Sequence, residues 1–360
     1  MDLHPLAKLT QVIRKFSIIK HLKRQMFLTE LVGAMIKSRS VLFSELADKI
    51  DREALPSSIE RRIQDFFQKV DFDYVQLLSL LICFVPHDKV VLSIDRTEWD
   101  RGSHQYNILC VIASVGKMGV PLYFEMLDNN SGNSNSHDRI GLLKRIIEVL
   151  GAERIDYLVM DREFIGHQWL RWLKSQGVRF CVRVPRHHAI LFADGERTFA
   201  PALLCSEGIT YAQDVIVDQV VVNLYVGTDQ DGELLYLVGN LPAKELRAAY
   251  RKRWSIETFF QALKGRGFNL EKSGLRCQSK MRKLFALTCM AYAICWATAI
   301  EDAKSNAVKR KKHGYPQYSV FRRGLNLIRL AFKKGIKHAI IALWRWLENQ
   351  FFKFFGITIG

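Results

Sequence analysis

From residue 86 to residue 184 the chain alternates short apolar runs with amphipathic stretches, and this alternation limits its fold more tightly than any other feature. Lys89-Val90-Val91-Leu92-Ser93-Ile94-Asp95 reads as a buried strand closing on an aspartate. Residues 106–115 and 120–127 give two further strands, split by a glycine-containing turn at 116–119. After a loop rich in Asn, Ser and Gly (128–136), the pattern predicts a helix over about 137–150. A strand over 157–161, again closing on an aspartate, a helix over about 166–176 and a strand over 180–184 follow. The order is βββαβαβ, an α/β mixed sheet whose helices cover its faces.

The flanks differ. Residues 6–85 read as helical, with one helix starting at Ser57 as N-cap. Their cationic positions, Arg14, Lys15, Lys20, Lys23, Arg24, Lys37, Arg39, Arg61 and Arg62, suit either a small DNA-binding unit or a solvated surface. Residues 187–240 interrupt the alternation with a second β-rich stretch, in which 214–226 and 234–238 pair as a hairpin. A long helix is predicted from near Ala243 through Glu257 to about Lys264. The rest reads as helical, with a basic linker (Lys304, Lys309, Arg310, Lys311, Lys312) and a basic tail (Arg322, Arg323, Arg329, Lys333, Lys334, Lys337).

Fifty-three Lys and Arg against 36 Asp and Glu leave a charge of +17, which points to a polyanionic partner, nucleic acid before a membrane surface. Seven scattered cysteines without a C-x-x-C pair argue against a zinc site or a disulfide framework and fit a reducing cytosol. The amino terminus lacks the order of a signal peptide. Residues 284–300 carry no charge, yet their Thr, Cys and Tyr content suits a helix buried in protein rather than a membrane span.

Asp95 and Asp161 each close an apolar strand, and strand ends at one sheet edge are where ligand groups converge; either could also be a simple turn residue. Glu257 lies on the predicted helix with Tyr250, Arg253 and Lys264 at offsets that a continuous α-helix places within about 60° of one another, along about 20 Å. Three carboxylates can hold two Mg²⁺ ions for phosphoryl transfer, while Arg253, Lys264 and Tyr250 are suited to phosphates beside the scissile one. The plainer alternative is an amphipathic helix with an Arg253 to Glu257 ion pair.

Tyr250-x2-Arg253-x3-Glu257-x6-Lys264 matches the Y-R-E-K signature, and the chain thereby resembles the insertion-sequence-four family of DDE transposases. Ile94-Asp95-Arg96-Thr97-Glu98-Trp99 is similar to that family's first catalytic segment, and Met160-Asp161-Arg162-Glu163-Phe164 to its second. The resemblance covers about residues 88 to 300. It implies a ribonuclease H-like core with a β-rich insertion between the second and third acids, and α-helical N-terminal and C-terminal regions. It further implies metal-binding catalytic residues Asp95, Asp161 and Glu257, two Mg²⁺ ions for which Mn²⁺ can substitute, and DNA-binding residues Tyr250, Arg253 and Lys264. The expected substrates are double-stranded DNA, both the inverted repeats of a mobile element and its target, handled by a homodimer. The expected location is the cytoplasm, at the nucleoid of a bacterium or archaeon. Relatives that resolve a DNA hairpin hold a flipped base with a Trp of the insertion; residues 187–240 contain none, and Phe192, Phe199, Tyr211, Tyr225 and Tyr236 are its aromatics.

The expected organisation is therefore a helical DNA-binding region (1–85), a catalytic core in two parts (86–186 and 241–302) around the insertion (187–240), and a basic helical region (303–360). Two rival functions share these residues: a domesticated relative that only binds DNA, and a metal-dependent nuclease without strand transfer.

Overall fold

A computed structural model describes residues 5–86, 88–101, 104–116, 118–128, 132–204, 208–229, 232–312 and 314–334. The expectations for Cys205, for Lys337 and for the rest of the tail beyond residue 334 lie outside them. The chain forms two compact units, one of residues 1–87, 99–106 and 259–360, the other of residues 88–98 and 107–258.

The amino-terminal helices are α1 (Pro5–Lys15), α2 (Leu22–Ser38), α3 (Phe43–Ala47), α4 (Pro56–Lys69) and α5 (Tyr74–Ile82). The N-cap expected at Ser57 lies instead at Leu55, with Pro56 as the first helical residue. Proline's fixed φ suits that position, and its missing N–H costs nothing there.

The second unit holds all but the 99–106 part of a ten-stranded sheet of β1 (Val90–Arg101), β2 (His104–Val115), β3 (Met118–Met126), β4 (Ile155–Met160), β5 (Phe180–Arg183), β6 (Ala189–Leu191), β7 (Arg197–Phe199), β8 (Thr210–Val217), β9 (Val220–Thr228) and β10 (Leu234–Gly239). Its spatial order is β3-β2-β1-β4-β5-β10-β9-β8-β6-β7. β1 runs parallel to β4 and β4 parallel to β5, while β2 and β3 are antiparallel. This is the mixed sheet that the sequence predicts. The connecting helices are α6 (Ser136–Leu150) and α7 (His167–Ser175). A capping box between Asn135 and Asp138 starts α6.

Two strand expectations need correction. β1 does not stop at Asp95 but runs on to Arg101; its pairing with β4 ends one residue earlier, at Ile94 opposite Met160. The run 214–226 is not one strand: Asp218 and Gln219 take positive φ, a tight turn between β8 and β9 that their polar side chains tolerate. The β-rich stretch continues the core sheet, because β10 pairs antiparallel with β5 through Leu237 to Gly239.

The predicted helix over 243–264 is a series: a 3-10 turn (Ala243–Glu245), α8 (Leu246–Tyr250), a second 3-10 turn (Arg251–Arg253) and α9 (Trp254–Leu263). Ser255 Oγ donates to the Lys252 carbonyl at 2.8 Å, competing for an oxygen that a continuous helix would use. Leu246 and Ala249 of α8 bury against Cys181, Tyr225, Leu235 and Leu237 of the sheet.

The first unit also contains α10 (Gln278–Ser305) and α11 (Val320–Lys334). By length and composition α10 could cross a membrane, but 89% of its apolar stretch is buried among protein. It packs on α2, α4, α5 and α11. Gly324 permits a close crossing of α11 on α10: a Cβ there would lie 1.7 Å from the Cys295 carbonyl oxygen. Gly141 on α6 faces open space. Gly324→Ala should therefore destabilise the protein by about 1–3 kcal/mol, whereas Gly141→Ala should stabilise it by about 0.8 kcal/mol, both measured by urea unfolding.

Candidate active site

Within the sheet unit, Asp95 lies on β1 just past its last partner on β4, and Asp161 directly follows β4. Each orients itself locally: Asp95 Oδ1 accepts from the Arg96 N–H and Asp161 Oδ1 from the Arg162 N–H, both at 2.8 Å. Glu257 enters on the first turn of α9.

Arg253 draws the three acids together. Its Nη1 donates to Asp95 Oδ2 at 3.1 Å and lies 3.9 Å from Asp161 Oδ2, while Nη2 donates to Glu257 Oε1. Tyr250 Oη donates to Asp161 Oδ1 at 3.0 Å, and the Arg253 guanidinium stands over the Tyr250 ring, 5.5 Å from its centroid. The Arg253 side chain is 14% exposed. Five of the six residues singled out in the sequence thus meet at one point. The sixth, Lys264, does not follow the continuous-helix geometry: it lies one residue past α9, belongs to the helical unit, pairs with Glu271 at 2.9 Å and sits over the Trp99 ring. The helix ends before the last turn that would have carried Lys264 along the same face.

The charges are unbalanced. Three carboxylates against one guanidinium leave −3 + 1 = −2 when all are ionised. Burial pushes the Asp95 carboxyl up to about 6, and Asp161 and Glu163 add to the rise, while Arg253 and the Arg96 N–H oppose it. Burial also raises the Tyr250 phenol, which therefore stays a donor at neutral pH. The donor set is that of a hard divalent ion, all oxygen and all anionic. With Arg253 among the carboxylates, no three His, Cys, Asp or Glu side chains among the described residues close on one point at ligand distance. A divalent ion therefore fits this donor set by its chemistry, while Arg253 stands between the acids that would hold it.

Two supports of the site are not apparent from sequence spacing. In the first, Arg96 Nε reaches both Glu163 oxygens at 3.2–3.3 Å, and its Nη1 donates to Glu98 at 2.7 Å and Asn107 at 2.9 Å. Arg139 donates to the Glu163 carbonyl and to Ser134, and stacks on Phe164. Arg96 and Glu163 are 12% and 16% exposed, so a nearly dry ion pair ties the residue after Asp95 to the second residue after Asp161. The only sequence signal was their presence in the two acidic segments. In the second, Ser93, Ser114 and Ser255 form a hydroxyl chain, 3.2 Å and 2.7 Å in its two links. It pins the start of α9 to β2 and β1, with Ser93 two residues before Asp95 and Ser255 two before Glu257.

A family model described as "Transposase DDE domain" matches residues 86–294. No curated protein sequence matches. Among solved structures, a piggyBac transposase synaptic complex with hairpin DNA is similar at 9% identity and a TM-score of 0.48, covering 88% of this chain and 72% of that one. An endonuclease V from Bacillus subtilis is similar at 12% identity and a TM-score of 0.27, covering 55% and 93%. Both likenesses are too slight to carry fold or function.

Arg96 keeps Glu98 and Asn107 when Glu163 is removed, so Glu163→Ala, which deletes one charge-assisted contact, should cost about 1.5–3 kcal/mol in urea unfolding. Glu98→Ala, at the exposed end of the same network, should cost less than about 1 kcal/mol. Asp95 gives a pH signature. Its folded pKa of about 6 lies above the ordinary 3.8, so the stability contributed by protonation is present at low pH and lost as pH rises through that interval. The stability of the metal-free protein relative to Asp95→Asn should therefore fall between about pH 4 and 6 and level off above.

Proposed function

The chain belongs to the transposase DDE-domain family, and from that premise we propose that it is an insertion-sequence-four-type transposase that cuts the terminal inverted repeats of a mobile element and joins the 3′ ends to target DNA. The observation that carries this reading is the meeting of Asp95, Asp161 and Glu257 around a single guanidinium, on a mixed sheet whose neighbouring strands β1 and β4 supply two of the three acids.

Asp95, Asp161 and Glu257 would hold Mg²⁺, with Mn²⁺ as substitute. Bound there, the ions supply activation of a water or a 3′-hydroxyl and neutralise the leaving oxygen. The chain's own residues do the rest. Arg253 leaves the carboxylates for phosphate oxygens beside the scissile bond, where its planar fork matches the phosphate. Tyr250, held protonated by burial, donates to a second phosphate oxygen. The Arg96 to Glu163 pair and the serine chain keep the acids in register while Arg253 moves. Lys264 contacts phosphate farther from the centre. The working form is a homodimer on two element ends, in the cytoplasm at the nucleoid.

Asp95→Ala and Glu257→Ala should each lower metal-dependent cleavage of an inverted-repeat duplex by at least about a thousandfold while leaving its binding within about threefold. Cleavage that survives either change refutes the assignment. A duplex supplied with its 3′ end already cut tests joining separately: an enzyme that cleaves but never joins this end to plasmid is a nuclease.

A further inference from the structure

The helical unit holds a concentration of positive charge that the chemistry of the acids does not use. Arg39 ends α2 in a left-handed conformation, so its side chain leaves the helix axis. On α11, Arg322, Asn326, Arg329 and Lys333 follow one another at i, i+4, i+7 and i+11 and share one face to within about 60°. The adjoining face, with Phe321, Leu325 and Ile328, is buried. α11 packs against α2, which brings the two sets of arginines together.

Two of these arginines are held by backbone carbonyls. Arg322 Nη2 donates to the Arg266 carbonyl at 2.7 Å, and Arg329 Nε donates to the Lys37 carbonyl at 3.1 Å. Arg39 Nε is buried and meets no acceptor. Among the described residues none of the three pairs with a carboxylate. Asp302, on the flank of α11, is taken by Arg323. Burial and the charges of Arg322 and Arg329 together lower the Arg39 pKa, as expected where like charges crowd without an anion. A solvated charge run spreads its side chains into water. Here Arg322 and Arg329 are each tied to a backbone carbonyl, and Arg39, which feels both charges, has a dry donor with nothing to bind.

We propose that Arg39, Arg322 and Arg329 form a binding site for backbone phosphates of double-stranded DNA on the helical unit. The site rests on the DNA-processing function proposed above and assigns part of its substrate binding to particular residues. Fixed guanidiniums suit this ligand, since a phosphate offers the planar fork two oxygens at once and supplies the acceptor that Arg39 Nε lacks. Nothing in the cluster reaches for base edges through Asn or Gln in pairs, so it contributes affinity and orientation rather than sequence choice.

The test is equilibrium binding of the full chain, without metal, to a fluorescein-labelled random-sequence DNA duplex of about three helical turns over a salt series. The triple variant Arg39→Gln/Arg322→Gln/Arg329→Gln should bind at least about tenfold more weakly, with the slope of log K against log salt reduced by about 2–3. Arg329→Gln alone removes only an exposed side chain and guards against misfolding; it should reduce the slope by about 0.9. The control Lys309→Gln/Lys311→Gln/Lys312→Gln removes the same charge from exposed positions. A loss no larger in the cluster variant than in this control overturns the site while leaving DNA binding by the chain intact. A loss confined to an RNA duplex of the same sequence also overturns it. Failure of the unaltered chain to bind the DNA duplex overturns both this site and the function on which it rests.

Discussion

Three carboxylates cannot be brought together without a cation among them, and Arg253 is that cation. Two unit charges 4 Å apart repel by about 4 kcal/mol at an effective dielectric constant near 20. In metal-free protein Asp95, Asp161 and Glu257 would splay apart if the guanidinium did not reach all three. The same contacts explain why the Arg253 side chain is so little exposed. It is held in the site by the acids it bonds, and one guanidinium leaves part of their negative charge unbalanced.

The scaffold works to the same end from outside the carboxylates. Neighbouring parallel strands bring Asp95 and Asp161 to one side of the sheet, but parallel pairing alone does not fix two side chains that lie beyond its last register pair. The Arg96 to Glu163 pair closes that gap across the sheet edge. Ser114 does the corresponding work for the helix, linking Ser93 to Ser255 so that the element carrying Arg253 and Glu257 cannot slide along β1. An ion pair and a hydroxyl chain, both largely screened from water, thus set the position of the three acids and of Arg253.

Much of this was legible in the sequence, and the misses share a cause. Periodicity located β4, β5, α6 and α7 to within a residue or two because their apolar positions repeat on one face. It misplaced the end of β1, since the polar residues after Asp95 are carried by pairing with β2 rather than by burial on both faces. The set Asp95, Asp161, Tyr250, Arg253 and Glu257 was accessible because spacing along a helix and position after a strand are local properties. Lys264 was not, because a helix that looks continuous in sequence is tightened at Arg251–Arg253 and ends at Leu263. Arg96 with Glu163, the three serines, and Arg39 with α11 depend on contacts between residues 21 to 290 positions apart, which no single-sequence pattern encodes.

The pairing of β10 with β5 also dictates when the site comes into being. β5 keeps an open edge until residues 234–239 have been made, and only the segment directly after them carries Arg253 and Glu257. At about 5–20 residues per second, a ribosome that has finished Asp95 takes roughly ten to thirty seconds to reach Glu257. A chain released early in that interval lacks the third acid and the cation that gathers the other two. The order of the strands therefore makes the gathered acids one of the last features of the sheet unit to be completed.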